Sequence, residues 1–471
     1  MSEGLKDGLA VRALRALALA GLASSVFLGP VAHGAVLPAG LLPLLALVFT
    51  SAAVAVAVTP LPARSSPVWP LVLGPAALAG LGLLTLVPLP LAVVKVLSPV
   101  AASLQKDAAE VLTAFEATPT VTYRLSIAPA ETGTVVLLAL GLSFAALASA
   151  LLSRSRAARR ILVLSVLGSA LAQVVIALAG ETPRPARLHG SFVNPNNFAG
   201  FLQLGMGVAS GLVWLASRRG RTLERRVLYT VLAALPWGAL AAGIGLSRSR
   251  GGFLGAAAGL AVALALAIWK LRRGEGRLRA AAGTAGAVAL SLALVFAASV
   301  TGAVPLARFL ESDSDLLAAD GRVLLWKASF AAFLDSPVLG LGLGAFREAF
   351  RAHQPRGIQG LVEQAHSEPL QMLVTGGLVG AALSAALLGL VVSGLLRLLA
   401  AERHREESAL LVGSAAALAA LLGHGLFEFN FSIPAIPLAL SVLLGAALAS
   451  GESETVTGPP ASTRTRTERL P

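Results

Sequence analysis

Between Ser247 and Gly252 the chain reads Ser-Arg-Ser-Arg-Gly-Gly, which sets two guanidinium groups between long apolar runs. A cation in such a place needs a reason, because approaching hydrocarbon is costly unless it meets water, lipid phosphate or an anionic ligand. For Arg248, a lipid-headgroup contact by a snorkelling side chain and an anion-binding role stand side by side. For Arg250 the neighbours favour binding. The glycines after it let a backbone approach closely, and the helix expected to begin there offers its positive end, so guanidinium and amides together suit a diphosphate.

Other polar groups gather in the gaps between apolar runs. Arg184, Arg187 and His189 precede Gly-Ser-Phe-Val-Asn-Pro-Asn-Asn-Phe-Ala-Gly at 190–200. Asn-Pro and adjacent asparagines before an apolar run predict a helix start, with Asn196 or Asn197 accepting from the first backbone N–H groups. A competing reading gives Asn194 and Asn197 to sugar hydroxyls or phosphate, aided by amides at the new helix end. Further on, apolar residues from Val323 to Leu334 recur at helical spacing, predicting a helix on the membrane surface or across the bundle mouth, with Arg322 at its polar start and Trp326 a turn later. Gly340, Gly342 and Gly344 resemble part of a dinucleotide loop but lack a βαβ context, so that signal carries no weight. Ser312–Asp315 has the look of an acidic metal motif, and a solvated loop is the better reading. His366 follows Glu363-Gln-Ala, and a lone interfacial histidine is usually structural unless its surroundings say otherwise.

These groups need elements to hold them, and the composition says which. Over 471 residues 56% are hydrophobic, more than a water-soluble fold of this size could bury. The chain reads as an all-α integral membrane protein with about twelve transmembrane helices. The spans lie near 9–27, 35–58, 71–87, 132–152, 161–178, 198–216, 228–246, 253–269, 281–304, 370–396, 408–426 and 433–448. The first, with Lys6, Arg12 and Arg15 before it, has features of a signal peptide but reads better as a retained helix. Leu91–Val100 is too short to cross and belongs at the interface. With no cysteine, disulfides, thiolate metal sites and cysteine nucleophiles are excluded. The net charge of +13 does not imply nucleic acid, because the basic residues form juxtamembrane clusters that orient helices and meet membrane lipids. Arg154–Arg160, Arg218–Arg226, Lys270–Arg279 and Arg403–Arg405 share one face, which the distribution makes cytoplasmic together with both termini and a disordered tail at 450–471. The opposite face receives two long segments, 98–131 and 305–369, and short turns at 181–197, 247–252 and 428–432.

Taken together, the motifs resemble those of the O-antigen ligase and O-antigen polymerase superfamily of bacterial membrane glycosyltransferases. Gly190 to Ala199 is similar to the family's glycine–asparagine motif opening a transmembrane helix, and Ser249-Arg-Gly-Gly252 to its Ser-Arg-Gly turn. Gly321-Arg322 through Trp326, then Pro337 to Phe346, resembles the start of its large periplasmic loop, and Ala365-His366-Ser-Glu-Pro-Leu-Gln371 its essential-histidine motif. Ser367 and Pro369 depart from the commonest form, which has His-Asn followed by leucine.

The resemblance implies a GT-C-like fold in the inner membrane, with N-terminal helices over 1–189, a catalytic region over 190–449 containing the periplasmic loop 305–369, and an active site facing the periplasm. It implies transfer of a glycan from a polyprenyl-diphosphate carrier to a lipid A–core or other glycan acceptor, with inversion and without cofactor or metal. Arg250 and Arg322 would hold the diphosphate and stabilise charge on the leaving group, and His366 would take the proton from the attacking hydroxyl. Arg184, Arg187 and Arg248 form a second ring, and Glu363 or Glu428 orients the imidazole, with nothing in the sequence choosing between them. A repeat-unit polymerase is the alternative within the class, and a lipid-linked oligosaccharide flippase is the alternative outside it. Against transport, the spans are nearly free of charge at their centres and no halves repeat.

Overall fold

Where no water is present to satisfy backbone groups, a single-segment helix is the economical answer, and the described residues of this chain use it for every regular element. A computed structural model describes residues 2–115, 122–180, 187–272, 319–356, 358, 360–402 and 404–452, and no strand occurs among them. The helices are α1 (Ser2–Val31), α2 (Pro38–Val58), α3 (Trp69–Leu86), α4 (Leu91–Leu97), α5 (Pro99–Ala114), α6 (Pro129–Leu152), α7 (Arg156–Ala179), α8 (Pro195–Ala216), α9 (Leu223–Leu246) and α10 (Arg250–Arg272). They continue as α11 (Ala319–Leu334), α12 (Phe346–Arg351), α13 (Glu368–Ala401), α14 (Arg405–Gly425) and α15 (Ala435–Leu448). Proline in the first turn opens α2, α3, α5, α6, α8 and α13, where its missing N–H costs nothing. Ser155, Asn194 and Thr222 cap α7, α8 and α9 through their side chains.

The chain is an all-helical integral membrane protein, with ten helices among the described residues long and apolar enough to cross a bilayer. The span expected at 281–304 lies outside the described residues, as do Arg184, the Ser312–Asp315 motif and nearly all of the C-terminal tail. The last expected span is a shorter helix, α15, whose 14 residues reach about 21 Å. That is less than a hydrocarbon core of about 30 Å. Every residue of α15 is buried, so it is a core rod wrapped by its neighbours. Beside it α8 and α14 run close together, since a Cβ on Gly211 would lie 2.3 Å from the Ala409 carbonyl oxygen.

The segments expected on the outward face are brought together. Val94 and Ala101 from α4 and α5, with Leu125, share an apolar cluster with Leu325 and Phe333 of α11, Leu341, Phe350 of α12 and Ala365. The short interfacial stretch is thus part of a cap over one end of the bundle. α13 anchors this cap. At 34 residues a straight α13 would measure about 51 Å, too long for the bilayer, and it breaks at Gly377, where φ is 62° and ψ −164°. The segment after α11 is laid across the break. Leu341 and Gly342 donate to the Val374 and Thr375 carbonyls above it, while Leu378 and Val379 donate to Pro337 and Val338 from below. Only glycine fits at the crossing, because a Cβ on Gly377 would stand 2.4 Å from the Val338 oxygen. Gly340, Gly342 and Gly344, all at positive φ, serve close approach instead: a Cβ would stand 2.3 Å from the Thr375 oxygen, 2.4 Å from Ser126 Oγ and 3.0 Å from the Glu131 oxygen, respectively.

Candidate functional site

A carboxylate missed as a centre by any local reading organises the site. Glu428 lies in the turn after α14, only 1% exposed. Its Oε2 lies 3.1 Å from His366 Nδ1. Its Oε1 accepts from Arg322 Nη2 at 3.1 Å and from Asn196 Nδ2 at 2.7 Å. Residues up to 232 positions apart thus meet on one side chain, which a buried carboxylate requires: its desolvation must be offset by a counter-charge and hydrogen bonds. The Asn196 oxygen in turn accepts from Arg187 Nη2 at 2.5 Å, and Arg187 Nε donates to the Ser247 carbonyl at 2.9 Å. Arg187 is thereby tied to the turn that carries Arg248 and Arg250.

Each partner is held by its own element. His366 sits just before α13 in the left-handed region, at φ 48°, with its ring edge-on to Phe429 at 4.8 Å between centroids. Ala365 beside it is fixed from both sides, its N–H donating to Gln371 Oε1 and its carbonyl accepting from Trp326 Nε1. Trp326 therefore acts as a brace on the histidine loop, packed near Phe427 at 6.3 Å. Ser367 is extended and Pro369 falls in the first turn of α13, so both departures from the common motif are accommodated by a helix start. Glu368 accepts from the Phe431 N–H at 2.6 Å and pins that start to the Glu428 turn. Arg322 occupies the first turn of α11, and its buried Nε has no hydrogen-bond partner among the described residues.

Arg250 is the first residue of α10 and is exposed. Ser249 Oγ accepts from the Gly252 N–H at 3.0 Å, capping this helix. The next residue, Gly251, abuts the site, since a Cβ there would stand 2.8 Å from the His424 ring and 3.7 Å from Glu428 Cγ. His424 is fully buried, with Nδ1 3.3 Å from Gln203 Oε1, and Gln203 Nε2 donates to the Gly252 carbonyl at 2.7 Å. These two side chains from α14 and α8 clamp the N-terminus of α10.

Of the residues expected from the sequence, the structure joins His366, Arg322, Arg187 and Glu428 in one network and sets Arg250 beside it. Glu363 is exposed on the loop before His366, and the imidazole's carboxylate is Glu428. Arg248 stands half-buried in the turn at φ 53°. The helix cap expected from Asn196 or Asn197 is instead supplied by Asn194, which accepts from the Asn196 N–H at 2.8 Å. Proline at 195 explains the shift: it takes the first helical position, so the residue before it becomes the cap. Asn197 is buried, donating to Asn430 Oδ1 at 3.3 Å. Asn196 was read only as a helix cap, and Gln203 and His424 escaped the sequence reading. The available signal for the last two was a polar or ionisable side chain inside an apolar span, which marks a site by default.

Such an arrangement can orient an imidazole, concentrate guanidinium groups beside a helix N-terminus, and so meet an anionic group next to a reacting hydroxyl. Residues 235–385 match the family model described as O-antigen ligase. That stretch includes Arg250, Arg322 and His366, and the match supports a glycan-transfer, ligase-type function. Glu428, Arg187 and Asn196 lie outside the matched residues. No curated protein matches the chain.

Proposed function

We propose that the chain transfers a glycan from a polyprenyl-diphosphate carrier to an acceptor hydroxyl at the outward face of the membrane, with inversion and without a metal. The observation that carries this reading is the Glu428 network, which gives His366 a carboxylate partner on Nδ1 and gathers arginines around it. An ionised carboxylate only accepts, so Nδ1 carries the proton in that bond and Nε2 keeps its lone pair. The acceptor O–H gives its proton to Nε2 while its oxygen bonds to the anomeric carbon. The bond from that carbon to the carrier breaks, and its electron pair passes to the diphosphate. Arg250, Arg322 and the amides at the start of α10 take up the charge. Arg322 suits this role because Glu428 fixes the guanidinium through Nη2 while the side chain stays 22% exposed, open to an anionic oxygen. Arg187 and Arg248 serve acceptor phosphate at the rim.

Ligase and polymerase share this chemistry and differ in the acceptor; the Arg250, Arg322 and His366 set favours the ligase. Purified protein with lipid-linked donor and acceptor tests the proposal. His366→Ala and His366→Gln should both slow transfer by about 100- to 10,000-fold with donor binding nearly intact, while changes at His33, His353 and His404 are tolerated and EDTA has no effect. Turnover by His366→Gln near the wild-type rate, or arrest by chelation alone, overturns the mechanism.

A further inference from the structure

The opposite end of the bundle holds a second polar cluster. α8 and α14 run antiparallel, so the start of α8 and the end of α14 meet at Glu428, while the end of α8 and the start of α14 lie a membrane thickness away. There, between α7, α8 and α14, is a cavity of about 310 Å³. Arg156, Arg159, Arg160 and Arg219 line it together with Glu406 and Glu407, an excess of two positive charges. Each carboxylate is shared: Glu406 binds Arg160 and Arg219, and Glu407 binds Arg159 and Arg156. Arg159 is only 3% exposed, so its charge is committed to this interior, whereas Arg160 and Arg219 are 61% and 54% exposed at the mouth.

The rest of the wall differs in character. Val163, Leu212, Leu410 and Leu443 make it apolar. Ser414, which also lines it, is fully buried, and its hydroxyl oxygen has no hydrogen-bond partner among the described residues. A hydroxyl so buried ordinarily bonds back to its own helix, as Ser143 and Ser329 do here. Ser414 therefore keeps an unused hydroxyl in the cavity wall.

We infer that this cavity is a binding site for one anionic phospholipid, its phosphate held by Arg160 and Arg219, its glycerol oxygens reached by Ser414, and an acyl chain along the Leu212–Leu410 wall. Two exposed guanidiniums sharing one carboxylate have donors to spare for phosphate. Basic pockets between transmembrane helices take such headgroups. A free phosphate satisfies the arginines but not the apolar wall, which is why a lipid is the occupant. The site is independent of glycan transfer, and its test does not read transfer.

The full chain, purified in detergent, is titrated with phosphatidylglycerol, phosphatidylcholine or inorganic phosphate, reading bound lipid by native mass spectrometry and melting temperature in parallel. Phosphatidylglycerol should bind and raise the melting temperature, and the other additives should do neither. The double substitution Arg160→Ala with Arg219→Ala should weaken phosphatidylglycerol binding about 30-fold, the loss expected for two basic residues beside a lipid phosphate. Ser414→Ala, which cannot unfold the site by removing charge, should weaken it by several-fold. Arg397→Ala, at the same end of the bundle but outside the cavity, should bind as wild type does. Unchanged phosphatidylglycerol affinity in the double variant, or an equal stabilisation by inorganic phosphate, overturns the inference.

Discussion

Replacing Glu428 by glutamine keeps the shape of the side chain and removes its charge, so it isolates what the carboxylate contributes. Glu428 accepts from three donors: Nδ1 of His366, Nη2 of Arg322 and Nδ2 of Asn196. An amide has one oxygen and one NH2. Its oxygen settles where two donors converge, at Arg322 and Asn196, leaving the NH2 against His366 Nδ1 at about 3 Å. The reverse orientation sets donor against donor twice. Nδ1 must then accept, the ring proton moves to Nε2, and the nitrogen that should take the acceptor's proton has no free lone pair to do so. A positioned general base is worth about 100- to 10,000-fold, and a carboxylate-to-amide change that imposes the wrong tautomer lies near the upper end. Glu428→Gln should therefore lower kcat by about three to four orders of magnitude. Because carboxylate and imidazole act as one unit, combining it with His366→Ala should leave the rate within about threefold of His366→Ala alone. The assay is single-turnover transfer from lipid-linked donor, with the folded fraction checked by melting, since Arg322 loses its counter-charge. A Glu428→Gln rate within about tenfold of wild type, or a double variant slowed by the product of the single effects, refutes the reasoning.

Arg250→Ala and Arg322→Ala should each abolish transfer, and lysine should restore little because it lacks the planar fork for bidentate phosphate contact; donor binding by filter assay checks the cause, and near-normal activity of both alanine variants speaks against it. Gly377→Ala should destabilise the protein by about 1–3 kcal/mol, since the new Cβ meets the Val338 carbonyl in a backbone region closed to other residues; an unchanged melting temperature removes the argument. The orientation proposed from the alternating cation clusters has the His366 end outside the cytoplasm; on that proposal a membrane-impermeant thiol reagent on intact cells should label Leu361→Cys but not Leu223→Cys, both exposed positions in a chain without native cysteine. The opposite pattern reverses the orientation.

What the sequence made legible was what is written locally. Apolar runs end at Pro, Ser, Thr or Asn, so helices such as α2, α7 and α8 fall near where they are expected. His366, Arg250 and Arg322 stand in short motifs whose composition is unusual for a span. The network that unites them was not legible, because it depends on which turns of different helices end at the same height. Glu428 and Glu363 are equivalent as letters; only the packing of α14 against α8 and α10 brings the turn carrying Glu428 beneath the imidazole. Asn196 was visible only as a cap candidate, and Pro195 passed that duty to Asn194 and freed Asn196 to bind Glu428. The break in α13 was hidden for a related reason. Gly376 and Gly377 lie in an apolar stretch that reads as one helix, and the segment that fills the break comes from another part of the chain.

The segment laid across that break also sets where chain length is free to vary. From Pro337 to Gly342 the backbone pairs with named residues on both sides of Gly377, so deleting or adding one residue there shifts all of these pairings at once. From His353 to Gly360 the described backbone makes only local bonds, to Phe350, Arg351 and Pro355, together with a Gln354 side-chain contact. An insertion between His353 and Gly360 leaves the brace and the histidine loop in register. Length variation in related chains should therefore concentrate after α12, and the six positions from Pro337 to Gly342 should keep their number even where their side chains change.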